Sequence, residues 1–222
     1  MYYLALAAVS VVAYIIGSLN SAIISVYIIK KCDIRQYGSN NAGLTNVYRC
    51  FGAGCAAVTL VIDLAKGFAV VFGTRLALFW SGMFSAEEYN PVTACLIASL
   101  FAVMGHVFPV FYRFKGGKGI LVAACCALAI YPVIFLWGVI VMAAVVGITR
   151  YISLGSICCC IGYPAFIYFA ELLNGSIGDS TWLHMLLAGI IGLLCLLRHI
   201  SNIKRLVEHT ERKFTLKKEG EE

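Results

Sequence analysis

The stretch ILVAACCALAIYPVIFLWGVIVMAAVVGI, Ile120–Ile148, decides the architecture. As one straight helix it would be about 43 Å long, well beyond the ~30 Å of a bilayer's hydrocarbon core. Near its middle stand Tyr131 and Pro132. A proline lacks the N–H a helix needs, and it pushes the residue before it towards extended backbone. The stretch is therefore either one bent helix or two short ones, and the distribution of charge chooses between them. With two helices, spans are predicted at 4–29, 54–80, 92–111, 119–131, 132–149, 157–173 and 181–197. The segment Lys30–Cys50, the loop Arg113–Gly119, the turn at Arg150 and a basic cytoplasmic tail, 198–222, then share one side. That side holds fifteen of the 17 lysines and arginines; the other two, Lys66 and Arg75, lie within a span. The opposite loops hold only Glu87, Glu88 and Asp179. With one helix, Arg150 and the seven cations of the tail would change sides. The positive-inside rule thus predicts an all-α integral membrane protein, a single polytopic domain over 1–222. It has seven transmembrane helices, the amino terminus outside and the carboxyl terminus cytoplasmic.

Composition agrees. Of 222 residues 61% are hydrophobic and 13% charged, against about a quarter charged in soluble domains. A soluble globular fold and disorder are both excluded. A transmembrane barrel would show short alternating strands, and these runs do not alternate. The net charge of +6 accompanies no nucleic-acid motif, so no nucleic-acid partner is expected. Most of the ten cysteines lie inside apolar runs without paired C-x-x-C spacing, so no metal site is expected. The first apolar run, Tyr2–Ile29, lacks a basic leading region and reads as a retained span. At 28 residues it is too long for a straight crossing, and the polar patch Gly17–Ser21 is the predicted break.

Three polar clusters fall on the cation-rich side. The first, Gly38–Arg49, combines small residues that allow close backbone approach with neutral donors and a planar cationic fork suited to phosphate. Thr45 and Arg49 share a helical face at i, i+4. The second, Phe114–Gly119, opens an apolar helix with Lys115, Gly116, Gly117, Lys118 and Gly119. Its glycines are expected to expose N–H groups to an anion at a helix start. The third, Arg198–Arg205, holds His199 and Asn202 on one face, with Lys204 and Arg205 read as membrane anchors. Within spans, Asp63 and Lys66 at i, i+3 read as a buried pair holding helices together. His106 reads as a packed residue. Together the clusters describe a cytoplasm-facing site for more than one phosphate next to the bilayer. No H-x-x-x-x-D motif is present.

The chain resembles the bacterial acyl-phosphate:glycerol-3-phosphate acyltransferase family, which is integral to the membrane. The resemblance rests on Ile16-Gly17-Ser18, Gly38–Arg49, Asp63-x-x-Lys66-Gly67, Gly105-His106-x-Phe108-Pro109 and Phe114–Gly119. It continues through Arg150-Tyr151-x-Ser153-Leu154-Gly155-Ser156 and His199-x-x-Asn202-Ile203-x-Arg205-Leu206. It implies seven spans in a bacterial plasma membrane and a cytoplasmic site. There a fatty acyl group passes from acyl phosphate to the sn-1 hydroxyl of glycerol 3-phosphate, giving lysophosphatidic acid and phosphate. It implies membrane lipids as surroundings, no acyl-CoA, no cofactor and no metal. Carried over by motif, the catalytic residues are Ser39, Arg49, Lys115, His199 and Asn202. The substrate and phosphate contacts are Asn41, Thr45, Asn46, Gly116, Gly117, Lys118 and Gly119. His199 is expected to donate a hydrogen bond to a phosphate, with general base as its other reading. The chain departs from the family at Asn40, where glycine is usual, at Leu44 (alanine), at Asn20 (proline) and at Ile120-Leu121-Val122 (Val-Ala-Thr). The rival reading is a membrane transporter of phosphorylated anions, against which stand the missing internal repeat and the gathering of polar motifs at one face.

Overall fold

The structure, a computed structural model, describes residues 2–82 and 90–214. Glu87, Glu88 and the end of the tail, 215–222, lie outside the described residues. The helices are α1 (Tyr2–Ser18), α2 (Ser21–Lys30), α3 (Leu44–Trp80), α4 (Pro91–Val107), α5 (Ile120–Ile130), α6 (Pro132–Thr149), α7 (Ile152–Leu173), α8 (Thr181–Leu197) and α9 (Ile200–Val207). The fold is all-helical and integral to the membrane. Among the described residues, five helical segments are long and apolar enough to cross a bilayer, and six if the bent pair α8 and α9 is taken as one span. α5 has 11 residues and covers only about 16 Å.

Both predicted breaks occur. α1 ends at Ser18, and Asn20 caps α2 by accepting the Ile23 N–H at 3.0 Å. Its Nδ2 donates to the Ala42 carbonyl at 3.4 Å, tying the break to the first polar segment. Tyr131 separates α5 from α6 in extended backbone (φ −137°, ψ 102°), and Pro132 starts α6 where its missing N–H costs nothing.

Other boundaries differ from expectation. α3 starts at Leu44 rather than 54, inside the first polar cluster, and is interrupted at Gly52 (φ 78°, ψ −176°). That backbone region is open to glycine alone, so the cluster's helical end can turn away from the membrane-crossing part. α4 ends at Val107, before a short 3-10 turn over Val110–Tyr112. α7 starts at Ile152 rather than 157, which places Ser153 and Ser156 on a helix. The tail does not leave the membrane as plain chain. α9 lies at 61° to α8, and residues 210–214 fold back until the Phe214 N–H donates to the Arg150 carbonyl at 2.6 Å.

α4 forms the centre, touching α1, α3, α5 and α8, with Ala98, Ala102 and Val103 fully buried. Its closest neighbour is α1. A Cβ on Gly17 would stand 2.1 Å from the Ala102 carbonyl oxygen, and one on Gly105 2.2 Å from that of Tyr14. The two helices meet backbone on backbone, the close approach that small residues permit between helices in lipid. This contact fixes His106, the next residue, at the floor of the site.

Candidate functional site

The three polar clusters converge on one cavity of about 1550 Å³. Seven lysines and arginines line it (Arg35, Arg49, Lys115, Lys118, Arg198, Arg205 and Arg212) against two carboxylates, Asp63 and Glu211. Such an excess of positive charge selects anions. From this mouth the cavity runs on between α5, α6 and α7, where Ala127, Ile134, Gly138, Met142, Val146 and Tyr163 line it. Ionic mouth and apolar slot are one continuous space.

The first segment is shaped by Asn46. Its Oδ1 accepts the Ser39 N–H at 2.9 Å, and its Nδ2 donates to the carbonyls of Tyr37 (2.9 Å) and Asn41 (3.1 Å). The side chain is spent on the loop's own backbone and is 3% exposed. Asn46 thereby organises the segment. Ser39, Asn41, Thr45, Asn46 and Arg49 all line the cavity. Asn40 has a φ of 59°. Asparagine is the side chain that best tolerates the left-handed region after glycine, which explains how it stands where the family carries glycine.

The glycines of the second cluster do not act as expected. The Gly116 N–H donates to the Val107 carbonyl at 3.2 Å and the Gly117 N–H to that of His106 at 3.1 Å. These donors are consumed by the end of α4 and have none left for an anion. What the loop offers is Lys118, with Gly119 turning the chain into α5 at φ 85°. Lys118 donates to Asn202 Oδ1. Burial, reinforced by Arg205, Arg49 and Arg198 and opposed by Glu211, brings its pKa down to about 8. Lys115 is exposed at the rim and lines the same cavity. Arg35, in the polar segment Lys30–Cys50, pairs with Asp33 at 2.6 Å and donates to the Tyr112 carbonyl at 3.0 Å, bracing this loop from outside.

In the third cluster His199 Nδ1 lies 2.8 Å from the Cys195 carbonyl. A carbonyl only accepts, so this nitrogen carries the proton. Burial, and then the charge of Lys118, hold the ring's pKa down to about 4. The ring is neutral at pH 7 and Nε2 is its acceptor. Donation from Nε2 to a phosphate then requires the ring to take up a proton, which a bound dianion favours. Asn202 bridges Lys118 to Glu211, whose Oε1 accepts from Asn202 Nδ2 (2.7 Å) and from Ser153 Oγ (2.7 Å), while Oε2 accepts from Arg205 Nε (2.7 Å). Burial pushes the Glu211 carboxyl up, but these three hydrogen bonds carry it below its usual range. Arg205 is thus part of this network and no mere anchor. Ser153 stood in a matched motif without a role. Glu211 had no local signal at all, because its partners come from α7 and α9.

Comparison with known proteins is consistent along the whole chain. The model of a family described as glycerol-3-phosphate acyltransferase matches residues 7–209. The glycerol-3-phosphate acyltransferase of Chlorobaculum tepidum is 38% identical, over 94% of this chain and 96% of its own. That of Thermoanaerobacter pseudethanolicus is 37% identical, over 95% and 96%. The crystal structure of PlsY (YgiH), an integral membrane glycerol 3-phosphate acyltransferase, in its glycerol 3-phosphate form superposes with a TM-score of 0.76. The two are 29% identical, over 95% of this chain and 96% of that one. Its lysophosphatidic acid form gives 0.73. A sequence model spanning all three polar clusters, and relatives matched almost end to end, make this chain a member of the glycerol-3-phosphate acyltransferase family.

Proposed function

We propose that the chain transfers a fatty acyl group from acyl phosphate to the sn-1 hydroxyl of glycerol 3-phosphate, releasing lysophosphatidic acid and phosphate. The observation that carries this reading is the single cavity whose cation-rich mouth continues into an apolar slot. Two phosphates near −2 each bring about four negative charges, which Arg49, Lys115, Lys118 and Arg198 offset in a partly dry site. The acyl chain occupies the slot between α5, α6 and α7, in contact with lipid. The attacking hydroxyl forms the new C–O bond at the acyl carbonyl, and the C–O bond to phosphate breaks. His199 orients the hydroxyl by accepting its hydrogen bond at Nε2. With a pKa of about 4 the ring is a weak base, so the proton passes to an oxygen of the departing phosphate. In this reading Ser39, Asn41, Thr45 and Asn202 orient the phosphates.

The same reading gives α5 the status of a seventh, thin crossing, with the amino terminus outside and the three clusters on the cytoplasmic face of a bacterial plasma membrane. What supports it is the placement of Arg150 and the tail cations on one side. The direct test uses purified protein in detergent with palmitoyl phosphate and glycerol 3-phosphate. Equimolar phosphate and lysophosphatidic acid are expected, with no product from palmitoyl-CoA. Comparable turnover with the CoA ester overturns the choice of donor. Exchange of phosphorylated anions by liposomes in place of any acyl transfer means a transporter.

A further inference from the structure

One buried ionic group has no part in the chemistry above. Asp63, Lys66 and His106 are 2%, 5% and 4% exposed. Lys66 Nζ lies 3.0 Å from Asp63 Oδ1, 3.2 Å from the Leu19 carbonyl and 3.2 Å from His106 Nδ1. Ser21 Oγ donates to the same carboxylate oxygen. The Gly17 carbonyl stands fourth, at 3.4 Å; an ammonium has three protons and no acceptor, so in each of these contacts it can only donate. His106 Nδ1 must therefore be the acceptor, and the proton of a neutral ring sits on Nε2. Asp63 Oδ1, 3.8 Å from Nδ1, is too distant to reverse this.

The other edge of the ring faces the phosphate loop. A Cβ on Gly117 would stand 2.3 Å from His106 Nε2 and 2.6 Å from the Ala42 carbonyl oxygen. One on Gly116 would stand 2.0 Å from the His106 carbonyl oxygen, which itself accepts the Gly117 N–H. Both glycines are thus required by contact with His106, at the point where the loop meets the first polar segment. His106 also lines the cavity.

We propose that His106 is a positioning residue for acyl transfer: the Asp63–Lys66 pair fixes its Nε2–H tautomer, and the ring and carbonyl hold the Gly116–Gly117 loop so that Lys118 reaches the phosphates. The pair on α3 thereby acts on the site through α4, without touching substrate. This inference rests on the reading of Lys118 as a phosphate ligand. A displacement of about 1 Å at such a group costs on the order of a hundredfold in rate.

The experiment combines a ring measurement with kinetics. Protein labelled with 13C and 15N at its four histidines in detergent is assigned by single substitutions. The wild-type His106 signal should be that of the neutral Nε2–H tautomer from pH 6 to 8. Lys66→Met should abolish that uniform tautomer and lower kcat about 10- to 100-fold. Gly117→Ala, which presses on the ring from the loop side, should lower kcat similarly. Combining it with Lys66→Met should cost far less than the product of the two, since both act through one ring. Should Lys66→Met fail to fold, the neutral pair Asp63→Asn with Lys66→Gln takes its place. A wild-type ring protonated on Nδ1, or a lost tautomer with unchanged kcat in a folded variant, overturns the proposal. Absence of acyl transfer by the wild type overturns the reading of the site instead, and leaves the tautomer result standing.

Discussion

Lys118 joins the loop of the second cluster to Asn202 of the third, and its charge is conditional. Its pKa in the free protein is about 8, chiefly through burial. Below that pH it is charged and attracts phosphate; as pH rises through it, the free protein loses the charge. A bound phosphate raises the pKa, so binding in that window takes up a proton. The affinity for glycerol 3-phosphate should fall by up to about tenfold per pH unit above pH 8. Lys118→Arg should flatten that dependence, because arginine keeps its proton throughout. Calorimetric titration from pH 7 to 9.5 measures both, and equal slopes in the two proteins dismiss Lys118 as the titrating ligand. His199 is tested by shape. Asparagine at this position retains an acceptor of similar reach but takes no proton. His199→Asn should therefore keep clearly more activity than His199→Ala, which loses the contact. Removal of a general base costs about 10²–10⁴ in rate. An equal loss of that size in both variants, with glycerol 3-phosphate still bound, makes the ring the base.

At the scale of elements, the crossing of α1 and α4 carries the site. Gly17 and Gly105 let the two backbones touch, and the residue after Gly105 is the His106 that seats the phosphate loop. Valine at position 105 would need space that the Tyr14 carbonyl fills. Overpacking typically costs about 1–3 kcal/mol, and here the obstacle is backbone, which yields least. Gly105→Val should lower the thermal midpoint in detergent by several degrees and reduce kcat with it. A surface-facing glycine is the control. Gly147 has open space around its Cβ position, so Gly147→Val should leave both unchanged. A Gly105→Val protein with wild-type midpoint and rate disproves the link between crossing and site.

At the scale of the whole molecule the prediction concerns sidedness. Asn174, in the connection between α7 and α8, is exposed, and Lys204 on α9 has a side chain 76% exposed. On a background without cysteines, Asn174→Cys in intact cells should react with an impermeant thiol reagent added outside. Lys204→Cys should react only after the cells are opened. Labelling of position 204 from outside removes the seven-span arrangement, since it would put Arg198, Arg205 and the phosphate mouth on the wrong face.

Membrane class, helical character and the two breaks near Asn20 and Tyr131 were legible in the sequence. They depend on local quantities: the length of apolar runs, the missing N–H of Pro132, the capping side chain of Asn20. The cations of the three polar clusters, which line one cavity, were legible too, since they stand in the motifs themselves. Local pattern could not say what each polar side chain touches. That the Asn46 amide is bonded to the loop's own backbone is not written in the motif. Gly116 and Gly117 look like anion donors until their N–H groups are found on the carbonyls of α4. Glu211 looks like tail until it is found between Ser153, Asn202 and Arg205. Segments far apart in the chain meet there because helices pack by shape. A side chain's hydrogen bonds are fixed only when that packing has settled which donors and acceptors remain unpaired.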